Sequence, residues 1–137
     1  MPDEVVLDAS VAAKVFIEEE GSRAAEALVL SGVRLVAPEF VLVELANVAV
    51  KRLRRGHFPR VAAERMIAAS QTMFDELVPS NDLFQRAFTL ACDHGLSTYD
   101  AMYVALAEAR GCEMVSADLR LISRAAQAGL AVTIRAP

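Results

Sequence analysis

Three aspartates stand directly before apolar segments with helical character. Asp8 follows the apolar stretch "VVL", Asp118 comes two residues after "EMVS", and Asp100 precedes seven consecutive apolar residues. Aspartate is a favoured N-cap residue, and an acid in the first turn suits the helix dipole, so each has a structural explanation. A carboxylate at the same places could also bind a metal ion. One aspartate taken alone does not decide between the two.

Glu44 is harder to explain as a capping residue. Its neighbours at i−4, i−3 and i+4 are Phe40, Val41 and Val48, which together form an apolar stripe. The pattern predicts one long helix over 38–55, which places Glu44 beyond the N-terminal turn. A carboxylate in such a place is protonated, is paired with an arginine, or binds a cation.

Short apolar stretches alternate with helical segments along the whole chain of 137 residues. Strands are predicted at 5–7, 33–38, 77–79, 112–117 and 130–136, with about seven helices between and after them. This alternation is typical of a parallel sheet covered by helices on both faces. We therefore expect a single α/β domain over 1–137, with three α/β/α layers and a central parallel sheet of about four or five short strands.

The predicted layout also says where the acids should lie. Residues just past the carboxyl ends of parallel strands gather at one edge of the sheet, and Asp8 and Asp118 both occupy such positions. If Asp100 and Glu44 reach the same edge, the four carboxylates repel one another unless protons or metal ions intervene. Oxygen ligands select hard cations such as Mg²⁺ or Mn²⁺.

Four segments of the chain together resemble the PIN domain, and among PIN domains the VapC-type toxins of prokaryotic toxin–antitoxin pairs. The segments are "VVLDASVAAKVF", "APEFVLVELANV", "GLSTYDAMYVALAEARG" and "CEMVSADLRLISRAAQAG". They span nearly the whole chain in the family's order and with near-family spacing. Ser116 stands where the family often has threonine, and all four acids are present.

The resemblance implies a metal-dependent ribonuclease that hydrolyses phosphodiester bonds of RNA with Mg²⁺, or Mn²⁺, at the acidic residues. Asp8 and Asp100 are then the principal metal ligands, and Asp118 is a third ligand, direct or through water. Glu44 is a ligand through water, or the group that orients the attacking water. A protein nucleophile is not required, because the metal ion supplies the charge neutralisation and activates the water.

Other polar residues are weaker candidates for the site. Ser10 and Ser116 could support the ligands with their hydroxyls, or could be plain capping and turn residues. Arg52, Arg54 and Arg55 belong to the basic segment "KRLRRGHFPR". This segment is either a solvated helix end, which the helix dipole favours, or a contact to RNA phosphates.

The resemblance also implies partners, namely an RNA substrate, a small VapB-like antitoxin and a second copy of the chain in a homodimer. The apolar fraction of 55% exceeds the usual share of about 45–50%, which is consistent with such interfaces. No apolar run approaches the roughly 18 residues of a membrane span. The acidic start lacks the basic region of a secretory signal, so we expect a cytoplasmic protein. Cys92 and Cys112 lack ligand spacing and are predicted to be buried free thiols, which suits that compartment.

Three alternative interpretations of the sequence compete with this one. A response-regulator receiver needs a lysine at the end of a late strand, but the only lysines are Lys14 and Lys51. A haloacid-dehalogenase-type phosphatase needs a second aspartate two residues after the first, where this chain has Ser10. A PIN fold that binds RNA or protein without turnover stays open. The net charge of −4 argues against a protein that coats nucleic acid by charge alone.

Overall fold

A computed structural model describes residues 3–137 and contains one five-stranded parallel sheet in the order β3-β2-β1-β4-β5. The strands are β1 (Glu4–Leu7), β2 (Arg34–Pro38), β3 (Glu76–Val78), β4 (Glu113–Val115) and β5 (Ile134–Arg135). The α-helices are α1 (Ala9–Phe16), α2 (Ser22–Leu30), α3 (Val41–Arg54), α4 (Arg60–Met73), α5 (Phe84–His94), α6 (Thr98–Arg110) and α7 (Leu119–Ala128), with a 3₁₀ turn at Ser80–Asp82. The predicted three-layer α/β/α architecture with a central parallel sheet is confirmed.

Strand β1 forms the centre of the sheet. Val6 pairs with Val36 of β2 on one side and with Met114 of β4 on the other. Residues 5–7 are 0% exposed, as expected for a central parallel strand covered on both faces. The backbone N–H of Asp8 donates to the carbonyl of Val115 at 3.2 Å, so β1 and β4 end side by side.

Helix α6 is the most buried helix, and it carries the run of seven apolar residues, 101–107, all of them buried. A helix that is apolar around its circumference is expected to lie in the core, and this one does. The side chain of Ser97 caps its start by accepting from the N–H of Asp100 at 3.0 Å. Gly111, with φ of 61°, ends it in the left-handed conformation that glycine adopts without strain.

Helix α3 begins later than the sequence predicts. Ala37 and Pro38 pair with Leu77 and Val78 of β3, so the chain stays extended to Pro38 and the helix starts at Val41. Glu44 therefore lies in the first turn of α3, and the prediction that placed it beyond that turn is wrong.

The prediction of two buried thiols is also wrong in part. Both cysteines are free, but Cys92 is exposed and Cys112 is half-buried. The buried residues of α5 are Ala87 and Leu90, which lie on one side of the helix, and Cys92 lies on the opposite side.

None of the helices in the described part of the chain, 3–137, has both the length and the apolar character needed to cross a membrane.

The central position of α6 predicts a large stability loss on truncation of its core side chains. Leu106→Ala should lower the free energy of unfolding by about 2–5 kcal/mol, because Leu106 is 1% exposed and its removal leaves a cavity. Leu30→Ala is the matched control: Leu30 is 84% exposed, and its loss should change stability by less than about 0.5 kcal/mol. Urea denaturation measures both, and equal losses would contradict the described core.

Candidate metal centre

Asp8 combines a capping role with a buried carboxylate. It is the N-cap of α1, and its Oδ1 accepts from the N–H of Val11 at 3.2 Å and from the hydroxyl of Ser10 at 2.5 Å. Both bonds go to Oδ1, so capping and metal binding can use different oxygens. Burial raises the pKa of Asp8, the hydroxyls of Ser10 and Ser116 and the N–H of Val11 lower it, and the charge of Asp100 raises it further.

Two serines connect the loops that follow β1 and β4. The hydroxyl of Ser10, besides donating to Asp8, accepts from the N–H of Ala117 at 2.9 Å. Ser116 is fully buried, and its hydroxyl accepts from the N–H of Asp118 at 3.1 Å. Ser10 therefore joins the two strand ends, and the Ser116 hydroxyl lies close enough to Asp8 to lower the pKa of its carboxyl group.

Asp118 occupies the equivalent place after β4. It is the N-cap of α7, and its Oδ1 accepts from the N–H groups of Arg120 at 3.0 Å and Leu121 at 3.2 Å. Unlike Asp8, it is solvent-exposed. Its capping bonds again fall on one oxygen, which leaves the other for a second role.

Asp100 reaches the site from the start of α6, where it is half-buried. Burial raises the pKa of Asp100, and a hydrogen bond with Ser97 lowers it. The charge of Asp118 raises the pKa and the charge of Arg124 lowers it. These opposing effects show that Asp100 lies within electrostatic reach of both residues.

Glu44 is held by a contact that the sequence did not reveal. The hydroxyl of Tyr103, on α6, donates to Oε1 of Glu44. Burial raises the pKa of Glu44, the Tyr103 hydroxyl lowers it, and the charges of Asp8 and Asp100 raise it. Among residues 3–137, Glu44 therefore neither caps its helix nor forms an ion pair with an arginine.

Tyr103 is well placed to hold that carboxylate. It is 2% exposed, and its ring packs edge-on against Phe40, with centroids 5.3 Å apart. Burial and the charge of Glu44 raise the pKa of the phenol, so it stays protonated and donates. A buried tyrosine usually finds a partner for its hydroxyl, and one turn separates Tyr103 from Asp100, so the sequence indicated a hydroxyl near the site but not that its partner is Glu44.

The four acids form one electrostatically coupled group. The charge of Asp100 raises the pKa of Asp8, and the charges of Asp8 and Asp100 raise the pKa of Glu44. The charge of Asp118 raises the pKa of Asp100. Of the cationic side chains in residues 3–137, Arg124 is the one that lowers the pKa of an acid in this group. The predicted quartet, Asp8, Glu44, Asp100 and Asp118, is called the acidic centre below.

The arginines of the basic segment lie away from the acidic centre. Arg52 pairs with Glu19, with 2.6 Å between the nitrogen and the oxygen, while Arg54 and Arg55 are exposed at the end of α3. They follow Glu44 by 8 to 11 residues, which is about 12–17 Å along a helix axis. Their contact with RNA stays a prediction.

Known proteins share both the sequence pattern and the fold. Residues 5–127 match the family model described as the PIN domain. The chain belongs to the PIN-domain family. Ribonuclease VapC3 of Pyrobaculum aerophilum is 34% identical over 122 residues, which cover 88% of this chain and 93% of that protein.

Solved structures show the same PIN fold. The crystal structure of PAE2754 from Pyrobaculum aerophilum has a TM-score of 0.73 at 22% identity, and the match covers 96% of this chain and 83% of that one. A toxin–antitoxin complex from Klebsiella pneumoniae has a TM-score of 0.61 at 16% identity, over 82% of this chain and 85% of that one. At these identities the likeness shows the fold alone.

The donor atoms of the acidic centre of this PIN domain suit a hard divalent cation. Its donors are carboxylate oxygens, and Asp8 is buried without a cationic partner among residues 3–137. Within residues 3–137, no three acidic, histidine or cysteine side chains converge closely enough to coordinate one ion as they stand. Mg²⁺ keeps several waters and commonly takes only one or two carboxylates directly, so a mixture of direct and water-mediated ligands fits this arrangement.

The raised pKa of Asp100 predicts a pH-dependent stability of the metal-free protein. The folded state holds the proton more tightly than the unfolded state, so the stability contribution is complete below about pH 4 and is lost as the pH rises through the folded-state value. Asp100→Asn should therefore raise the Tm of EDTA-treated protein by a few degrees at pH 7, and the gain should shrink toward pH 4. Scanning calorimetry measures both.

Asp82→Asn is the control for that experiment, because it removes the same charge from an exposed position in the 3₁₀ turn. Equal Tm changes for the two variants, or a loss of stability in Asp100→Asn at pH 7, would contradict the repulsion described here.

Proposed function

We propose that this protein is a Mg²⁺-dependent endoribonuclease that hydrolyses RNA phosphodiester bonds and acts as the toxin of a type II toxin–antitoxin pair. The observation that carries the proposal is the acidic centre, in which three of the four carboxylates have raised pKa values and respond to one another's charge. Its relative from Pyrobaculum aerophilum, named as a VapC ribonuclease, supports the same activity.

The roles of the residues are those that the resemblance to PIN-domain ribonucleases implies. A bound Mg²⁺, with Mn²⁺ as a substitute, would supply charge neutralisation at the phosphate and activation of the attacking water. Asp8 and Asp100 would hold the ion, and Asp118 would complete its binding directly or through water. Glu44, fixed by Tyr103, would orient the attacking water.

The supporting groups keep these carboxylates in place. Ser10 links Asp8 to the backbone of the loop that carries Asp118, so the two strand ends move together. The buried helix α6 directs Asp100 from a rigid support. Catalysis in such a site depends on holding the ion and the water in position before the reaction begins.

The purified protein should cleave RNA in Mg²⁺ and lose this activity in EDTA, with recovery when Mg²⁺ is restored. Asp8→Asn and Asp100→Asn should each reduce the cleavage rate by about 100-fold or more, since each removes a charged ligand. A gel assay with fluorescently labelled RNA measures the rate. Asp82→Asn, which removes a charge outside the site, should cleave normally.

Full activity of both site variants would contradict the assignment. RNA binding without cleavage under any of these metal conditions would instead support the alternative function, a PIN-fold RNA- or protein-binding module without turnover.

The proposed toxin function also includes an antitoxin as the partner protein. A small VapB-like antitoxin would place a basic side chain in the acidic centre, where the repelling carboxylates favour a cation. A toxin–antitoxin complex is among the proteins of similar fold, which is consistent with such a partner.

The proposal also includes a homodimer, which light scattering would detect as twice the 14.8 kDa mass, and a cytoplasmic location.

Expression in a bacterial host should test the toxin role directly. We expect growth arrest with the wild-type chain, growth with Asp100→Asn, and relief of the arrest when a small reading frame adjacent to the gene is expressed together with it. Immunoblotting should confirm equal amounts of both proteins. Arrest by Asp100→Asn at equal abundance would contradict a nuclease toxin.

A further inference from the structure

The exposed face of α7 carries two arginines beside the acidic centre. Arg120 and Arg124 lie one helical turn apart, and both are exposed. With Leu119, Ser123 and Gln127 they line a surface hollow of about 380 Å³. Arg120 and Arg124 are called the α7 arginine pair.

Few of the N–H donors of the α7 arginine pair make a hydrogen bond within residues 3–137. The side chain of Arg120 makes neither a hydrogen bond nor an ion pair with residues 3–137, whereas Arg124 donates one Nη1 hydrogen bond to the carbonyl of Gly95 at 3.0 Å. A guanidinium has five N–H donors, so the pair retains nearly all of its donors for a ligand.

The position of the pair is also unfavourable for the helix itself. Like charges four residues apart repel, and Arg120 lies in the first turn, where the helix dipole disfavours a cation. Neither arginine forms an ion pair with an acidic side chain of residues 3–137. An anionic ligand at the pair would offset both effects.

The pair lies on the helix that begins at the acidic centre. Asp118 is the N-cap of α7, and Arg120 and Arg124 follow it by about 3 Å and about 9 Å along the helix axis. Arg124 also contacts the connection between α5 and α6, because it donates to the carbonyl of Gly95, five residues before Asp100. Arg54, in the basic segment, is about 15 Å along α3 from Glu44.

We propose that the α7 arginine pair binds phosphates of the RNA strand next to the bond that is cleaved. The inference rests on the proposed ribonuclease function and assigns its substrate-binding surface. An acidic centre repels the polyanion on which it must act, and a guanidinium pair at its border supplies local attraction. The planar guanidinium matches phosphate oxygens through two parallel hydrogen bonds.

Fluorescence anisotropy with a labelled 20-nucleotide RNA pool of random sequence tests this surface. The full chain carries Asp8→Asn so that the RNA stays intact, and Mg²⁺ is present. Arg120→Gln/Arg124→Gln should raise the Kd by about tenfold. It should also reduce the slope of log K against log salt by about 1.4, the value for two phosphate contacts on a single strand.

The matched control is Arg23→Gln/Arg65→Gln. Both residues are exposed, lie on α2 and α4, and make no ion pair with residues 3–137, so the control removes the same charge elsewhere. Its salt slope should be unchanged. Arg120→Lys/Arg124→Lys should retain most of the slope but bind less tightly than arginine, because lysine cannot form the paired hydrogen bonds.

Arg120→Gln alone guards against a folding artefact, because the side chain of Arg120 makes no hydrogen bond or ion pair with residues 3–137. It should reduce the slope by about 0.7, the value for one contact. Equal effects of the α7 variant and its control, or an unchanged slope in Arg120→Gln, would overturn the inference and leave the ribonuclease proposal standing. If the protein carrying only Asp8→Asn bound no RNA and the wild type cleaved none, both would be overturned.

Discussion

The crowding of carboxylates at the carboxyl edge of the parallel sheet is the constraint on which the rest of the structure depends. Asp8 is buried, and Glu44 and Asp100 are half-buried. The pKa values of Asp8 and Glu44 are raised, and the charge of Asp100 contributes to both shifts. Repulsion of this kind lowers the stability of a fold whose total stability is only about 5–15 kcal/mol. A divalent cation at these carboxylates would replace the repulsion by attraction.

The scaffold holds this arrangement through backbone and buried side-chain contacts rather than through ion pairs. The ends of β1 and β4 are joined by the Asp8 N–H bond to Val115, and the Ser10 hydroxyl links the loops that follow them. Tyr103 reaches Glu44 from α6, the helix with the largest continuous buried segment. Charged partners would neutralise the acids and occupy their oxygens, whereas hydroxyl donors orient them and leave the charge available to a cation.

The sequence predicted the elements that local chemistry determines. Asp8 and Asp118 cap helices as their type suggests, and the seven apolar residues of α6 are buried. The start of α3 was missed because it depends on the pairing of β2 with β3, a contact between distant segments. For the same reason, sequence spacing could not show that Tyr103 holds Glu44 across 59 residues.

Mn²⁺ binding measured as a function of pH tests the metal centre without any knowledge of the RNA. We expect saturable binding at pH 7.5 that weakens as the pH falls through the raised pKa values of Asp8, Glu44 and Asp100, since protons and the metal ion compete for the same oxygens. Asp8→Asn should abolish this binding. Affinity that is independent of pH, or that is unchanged in Asp8→Asn, would contradict a metal centre built from these carboxylates.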